Sequence, residues 1–301
     1  MIRIVTDSVT SLSAEVAARE GVEIVSLYLN EGGVEHEDAT MDVDEFYTRI
    51  GAMADNPPTS SQPAQDKLEA LFESIAHEGD QLVGIWISSG LSGTYEGALR
   101  AARAVKSRNI DFSYAMIDSQ SCGFDEAFPV LEAARAARAG ASLDEIVDAT
   151  TKAMASSRFL FTPESLTFLR KGGRIGGAAA LVGNLVKICP VLTVVDGTPE
   201  VSAKVRTRKK ALDKICSLLE EDMASAGGLK NVMVHYIGDR LPAVTWACET
   251  IEPLLGRTVE VLPVSPVIGL HVGPAIGIAY ECENPLPHKI TKSLSSLVVS
   301  S

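Results

Sequence analysis

The sequence predicts an α/β protein in two lobes: an N-terminal, mostly parallel, Rossmann-like sheet over residues 1–156 and a C-terminal mixed α+β lobe over residues 157–301. Three observations carry this. The length of 301 residues exceeds the ~100–200 residues usual for one domain. The first half alternates short apolar runs with helix-period segments, the pattern of parallel strands joined by crossover helices. The second half holds Asp196-Gly197 between two apolar runs, a hairpin signal that belongs to antiparallel pairing.

Ile2 to Thr6 reads as a buried strand, and Leu12 to Arg19 as a helix stopped by Gly21. Val22 to Leu29 reads as one further strand, and Asp42-Val43-Asp44-Glu45 as a capping box. Leu68, Leu71, Phe72 and Ile75 recur at helical spacing, which predicts a helix from Gln65 to His77 ended by Gly79. Gln81 to Ile87 is a strand, Ser88 to Gly93 a tight turn, and Thr94 to Lys106 a helix. Ser113 to Asp118 is a strand before an Ala-rich helix through Arg138, and Ser142-Leu143-Asp144-Glu145 caps the next helix. Beyond Ser156 the strands are Arg158 to Phe161, Val191 to Val195, Glu200 to Val205, Val232 to Ile237, Val259 to Leu262 and Ile276 to Tyr280. Helices cover Lys209 to Met223 and the segment after Pro242.

Hydrophobic residues make up 46% of the chain, enough for a substantial core. The net charge of -12 repels phosphate backbones and anionic surfaces, so nucleic acid is not an expected partner. The basic run Arg206 to Lys210 reads as a solvated helix start. Five cysteines without C-x-x-C spacing point to reduced thiols, and with no leader or membrane-length apolar run the expected compartment is the cytoplasm.

Four loops gather chemistry. Thr59, Ser60 and Ser61 precede a helix, where Ser61 is the expected N-cap and the other hydroxyls could face an anion. Ser88, Ser89 and Gly90 begin a strand-to-helix turn, the place where open parallel sheets bind ligands. The turn matches neither a P-loop nor a G-x-S-x-G elbow. Arg174 sits between two glycine pairs, its guanidinium suited to carboxylate or phosphate. His271 lies in a Gly- and Pro-rich turn between strand signals, unlike His36, His77, His235 and His288. No pair has metal-ligand spacing.

Together these segments resemble the DegV family. The resemblance is carried, in order along the chain, by Ile4-Val5-Thr6-Asp7-Ser8, Thr59-Ser60-Ser61-Gln62-Pro63, Ser88-Ser89-Gly90-Leu91-Ser92-Gly93-Thr94-Tyr95, Gly172-Gly173-Arg174-Ile175 and His271-Val272-Gly273-Pro274. It implies a long-chain fatty acid held between the lobes. The carboxylate would be bound by hydroxyls of the Ser60 and Ser89 loops, with His271 and Arg174 near the head group. It further implies no cofactor and no catalysis by this chain alone: a separate ATP-dependent fatty acid kinase subunit would make the acyl phosphate. Three positions depart from the family pattern. Ser60 stands where threonine is common, keeping the hydroxyl but losing a methyl. Ala64 stands where serine is common, and Ala275 where glycine is usual.

The alternative is a serine hydrolase acting on acyl esters, with Ser89 or Ser92 as nucleophile and His271 as base. The missing elbow and acid partner count against it. A sensor or transport module for another anionic lipid would differ only in what fills the pocket.

Overall fold

The computed structural model of the protein describes residues 1–181, 188–287 and 289–301. Among these, fourteen strands form three sheets. The chain opens with β1 (Ile2–Asp7), α1 (Ala14–Glu20) and β2 (Val22–Val25). Ser13 caps α1 by accepting from the Val16 amide, and Gly21 ends it at φ 73°, where a side chain would be strained. There follow β3 (Tyr28–Glu31), β4 (Val34–Glu37), α2 (Val43–Arg49), β5 (Thr59–Ser61), α3 (Gln65–His77) and β6 (Gln81–Trp86). Then come α4 (Thr94–Arg108), β7 (Tyr114–Asp118), α5 (Phe124–Arg138) and α6 (Leu143–Ser156). Ser142 and Glu145 complete a reciprocal capping box on α6, whereas at α2 only Asp42 caps and Glu45 pairs instead with Arg49. β2, β1, β6 and β7 are parallel neighbours, as the alternation predicts.

The second half contains β8 (Ser157–Pro163), α7 (Thr167–Lys171), β9 (Cys189–Val195), β10 (Thr198–Val205), α8 (Arg208–Ser225) and β11 (Leu229–Ile237). It continues with α9 (Leu241–Trp246), α10 (Glu252–Leu255), β12 (Glu260–Pro263), α11 (Pro266–Val272), β13 (Ala275–Cys282) and β14 (Val298–Ser300). Its sheet runs β10-β9-β8-β13-β11-β12, antiparallel except where β12 joins β11. Asp196 (φ 47°) and Gly197 (φ 83°) are both left-handed, the conformation a two-residue hairpin turn needs. Thr207 caps α8, so the basic run does open a helix.

Register decides which side chains share a face. Phe161, Gly277 and His235 are aligned across β8, β13 and β11 and point the same way, as does Phe159 two residues along. This face looks toward α5, whose Phe124 stacks on His235. The opposite face is covered by Ala211, Ile215 and Leu219 of α8. The chain passes from the first sheet to the second between α6 and β8, and β14 returns to pair with β7.

Three local expectations fail, each for a physical reason. Val22 to Leu29 is not one strand. Leu27 gives its N–H to Ser8 Oγ and its carbonyl to the Asp38 amide, so pairing breaks there. Tyr28 then starts a separate three-stranded sheet, β4-β3-β5. Ser61 does not cap a helix: Thr59 to Ser61 pair with β3, and Pro63 keeps the chain extended beyond them. The cap position falls on Ala64, which has no side-chain acceptor. His271 is not in a turn but in the last turn of α11, which Ser265 caps, Pro266 begins and Gly273 ends at φ 72°.

Candidate functional site

The C-terminal ends of β1 and β6 face the inner side of the second sheet, and α11 closes the gap. A cavity of about 110 Å³ lies there, roughly ten times the space one water needs. Its wall is almost wholly apolar: Val9, Leu27 and Ile87 from the first half, Phe159 and Phe161 from the second sheet, Val267 and Ile268 from α11.

Buried polar groups of the first half shape this wall. Asp7 accepts from the amides of Val9 (2.9 Å) and Ile87 (2.8 Å), tying the ends of β1 and β6 together. Burial pushes its carboxyl up to about 7, against those two stabilising bonds. Ser8 Oγ accepts from the Leu27 amide. The Thr6-Asp7-Ser8 run therefore fixes three lining residues without reaching the cavity itself. Asp38, also buried, accepts from Ser265 Oγ (2.9 Å) and the Val267 amide (3.0 Å), and so seats the start of α11.

The polar end of the cavity is formed by Ser60, Arg174 and His271. Ser60 lies on β5 opposite Leu29 of β3, and its Oγ is 2.9 Å from His271 Nε2. His271 Nδ1 is buried with no hydrogen-bond partner among the described residues, and a Cβ on Gly172 would lie 2.5 Å from it. A proton on Nδ1 would be an orphaned donor pressed against a methylene, so the favoured neutral tautomer carries it on Nε2. His271 then donates to Ser60, and the Ser60 O–H is released to donate into the cavity. Burial first, and the Arg174 charge second, lower the His271 pKa to about 4, so the ring is neutral at neutral pH. Arg174 is held by two carbonyls: its Nε donates to Leu91 O (3.1 Å) and its Nη1 to Gly172 O (2.6 Å). Its Nη2 has no protein acceptor among the described residues.

This arrangement can bind an anion at the polar side of an apolar cavity. It is poorly equipped for ester hydrolysis. Ser60 and His271 form a hydroxyl–imidazole pair, but no carboxylate orients Nδ1, and a ring that protonates only near pH 4 is a weak base. Neither Ser89 nor Ser92 bonds to His271 among the described residues; Ser92 Oγ pairs with Thr94 Oγ1.

A family model for DegV, described as an uncharacterised protein family, matches residues 1–283. The chain belongs to the DegV family. A DegV domain-containing protein of Clostridium acetobutylicum is 38% identical over 283 residues, covering 94% of this chain and 98% of that one. Protein DegV of Bacillus subtilis is 30% identical, covering 93% and 98%. Among solved structures, a stearic acid-binding protein from Eubacterium ventriosum superposes with a TM-score of 0.84 at 27% identity, covering 94% and 99%. A DegV family protein from Thermus thermophilus, described by its fatty acid binding, gives 0.81 at 29% identity, covering 93% and 99%.

The sequence-derived DegV positions divide in the structure. Ser60, Arg174 and His271 converge on the cavity. Thr59 and Ser61 flank Ser60 on β5 and are exposed. Ser88, Ser89 and Gly90 do not line the cavity. Ser88 Oγ donates to Gly197 O (2.9 Å), and a Cβ on Gly90 would lie 2.6 Å from that same oxygen, so these residues dock the hairpin turn. Ser89 is exposed, its amide on Asp118. From this loop it is Leu91 and Ser92 that reach the wall. The motif reading passed over Asp38, Ser265 and His235. Ser265-Pro266 is a helix-start signal that could have placed His271, but nothing local marks Asp38 or His235. His288 lies outside the described residues. Among the described residues no group of three His, Cys, Asp or Glu could hold a metal, and no helix is long and apolar enough to cross a membrane.

Proposed function

We propose that this DegV family chain binds a long-chain fatty acid in the cavity and presents its carboxylate to a separate ATP-dependent kinase subunit, in the cytoplasm. The observation that carries the reading is an apolar cavity with Ser60, Arg174 and His271 at one end. Named relatives of this fold that bind stearic or other fatty acids support it. The division of labour follows from chemistry. Burying fourteen methylenes at roughly 0.8 kcal/mol each gives about 11 kcal/mol before the cost of ordering the chain. The tail thus supplies most of the affinity, and the head-group residues offset the cost of burying a charge. Ser60 donates to the carboxylate, His271 orients Ser60, and Arg174 offers its remaining N–H groups where a phosphate would arrive. The chain would act as a carrier, with phosphoryl transfer supplied by the partner.

Native mass spectrometry of protein purified without added lipid tests the carrier role: mass increments matching long-chain fatty acids are expected. Protein that neither retains nor takes up such lipids would refute it. The second step is tested by trapping acyl phosphate as hydroxamate with the kinase subunit and ATP. Ser60→Ala and Arg174→Met should lower the yield, and an unchanged yield would remove these residues from head-group presentation.

A further inference from the structure

The cavity has a second histidine, far from the apolar character of its surroundings. His235 lies on β11, is only 6% exposed, and lines the cavity. Its ring stacks on Phe124 with centroids 4.9 Å apart. Among the described residues neither nitrogen has a hydrogen-bond partner, and Nδ1 is buried. Burial alone lowers its pKa to about 3, so the ring is neutral. A phenylalanine would fill this place without an orphaned polar atom, and buried polar groups normally find partners. Gly277 stands in register between Phe161 and His235, where a Cβ would lie 2.6 Å from Leu160 O and 2.8 Å from Phe161 Cβ. The glycine lets the neighbouring strand pack closely here, which sets Phe161 beside His235 on the cavity wall. His235 also lies along the cavity from the head group. Ile268, about 4.5 Å of helix rise before His271, has Gly123 as a neighbour, and the next residue, Phe124, stacks on His235.

We infer that His235 selects fatty acids bearing a hydroxyl group partway along the chain, which would hydrogen-bond the otherwise unpartnered imidazole. This rests on the fatty acid reading of the cavity. A hydroxyl both donates and accepts, so it satisfies either tautomer, while a saturated chain offers the ring nothing.

The test is calorimetric titration of the delipidated full chain with stearate and with hydroxystearates bearing the hydroxyl at successive mid-chain positions. At one position the hydroxylated lipid should bind about tenfold tighter than stearate, the effect of one hydrogen bond made in a dry site. In His235→Phe that preference should vanish, read as the ratio of the hydroxystearate Kd to the stearate Kd in the same variant. Stearate matching or exceeding every isomer on the wild type would overturn the inference and leave fatty acid binding intact, as would a preference that survives His235→Phe. Binding of none of these lipids would overturn both.

Discussion

Gly172→Ala probes the head-group geometry without touching any polar group. Gly172 sits at φ −74°, ψ −8°, which alanine adopts freely, so the backbone itself is not strained. The new methyl would lie 2.5 Å from His271 Nδ1 and 3.2 Å from Phe168 O. Ordinary contact begins near 3.4 Å, so the imidazole must retreat. A shift of that size, about 1 Å, displaces Nε2 from the geometry of its 2.9 Å contact with Ser60 Oγ and should spoil that hydrogen bond. Folding stability should fall by about 1 kcal/mol for that bond. Fatty acid binding should suffer more, because a misdirected Ser60 hydroxyl removes a bond to a charged group worth about 1.5–3 kcal/mol, or roughly ten- to a hundredfold in Kd. Titration with a long-chain fatty acid, alongside a thermal melt and imidazole nitrogen NMR, reads all three effects. Because the methyl acts through Ser60, the double variant with Ser60→Ala should bind no worse than Ser60→Ala alone. A folded Gly172→Ala protein with wild-type Kd and an unaltered His271 resonance would refute the relay.

Ala64→Ser should stabilise the protein by about 0.5–2 kcal/mol, because Ala64 already has extended cap geometry (φ −64°, ψ 143°) and lacks only the acceptor; an unchanged melting temperature would contradict this. Asp38→Ala leaves the Ser265 hydroxyl without its acceptor and the Val267 amide unpaired, so a loss of about 2–4 kcal/mol and weaker lipid binding are expected by calorimetry. The His271 pKa is depressed from 6.5 to about 4. Its contribution to stability is therefore complete above pH 6.5 and is lost as pH falls toward 4. The loss is at most about 3 kcal/mol, and partial solvent access to the ring reduces it. Acid melts of the lipid-free protein should show a shallower decline for His271→Gln, and parallel curves would oppose the assignment.

Much of the architecture is legible in the sequence because its signals are local. Gln65 to His77 keeps one apolar stripe, Ser142 and Glu145 write a complete cap, and Asp196-Gly197 specifies its turn. Where long-range bonds override local pattern the reading fails. Leu27 reads as strand, but both its backbone groups are taken by Ser8 and Asp38. Ser60, Arg174 and His271, which the fold brings together on the cavity, stand out in the sequence because their loops are unusual in composition. Ser88 carries the same kind of signal, yet its hydroxyl is used to anchor a hairpin more than a hundred positions away. His235 sits in an ordinary strand pattern, and only the fold reveals that its ring has no partner among the described residues.

The return of β14 to β7 constrains how the molecule can move. The segment leading to it touches both halves: Thr291 bonds Asp196 in the hairpin turn, while Lys289 and Lys292 bond Asp125 and Gln120 on the first-sheet side. It lies beyond residues 1–283. Two crossings of the polypeptide, rather than one, join the sheets. A body hinged at two separated places can rotate about the line between them but cannot twist or drift apart. Trimming the final strand should therefore remove one of the two chain connections between the sheets while leaving every residue of the cavity wall in the chain, since none lies beyond Gly277.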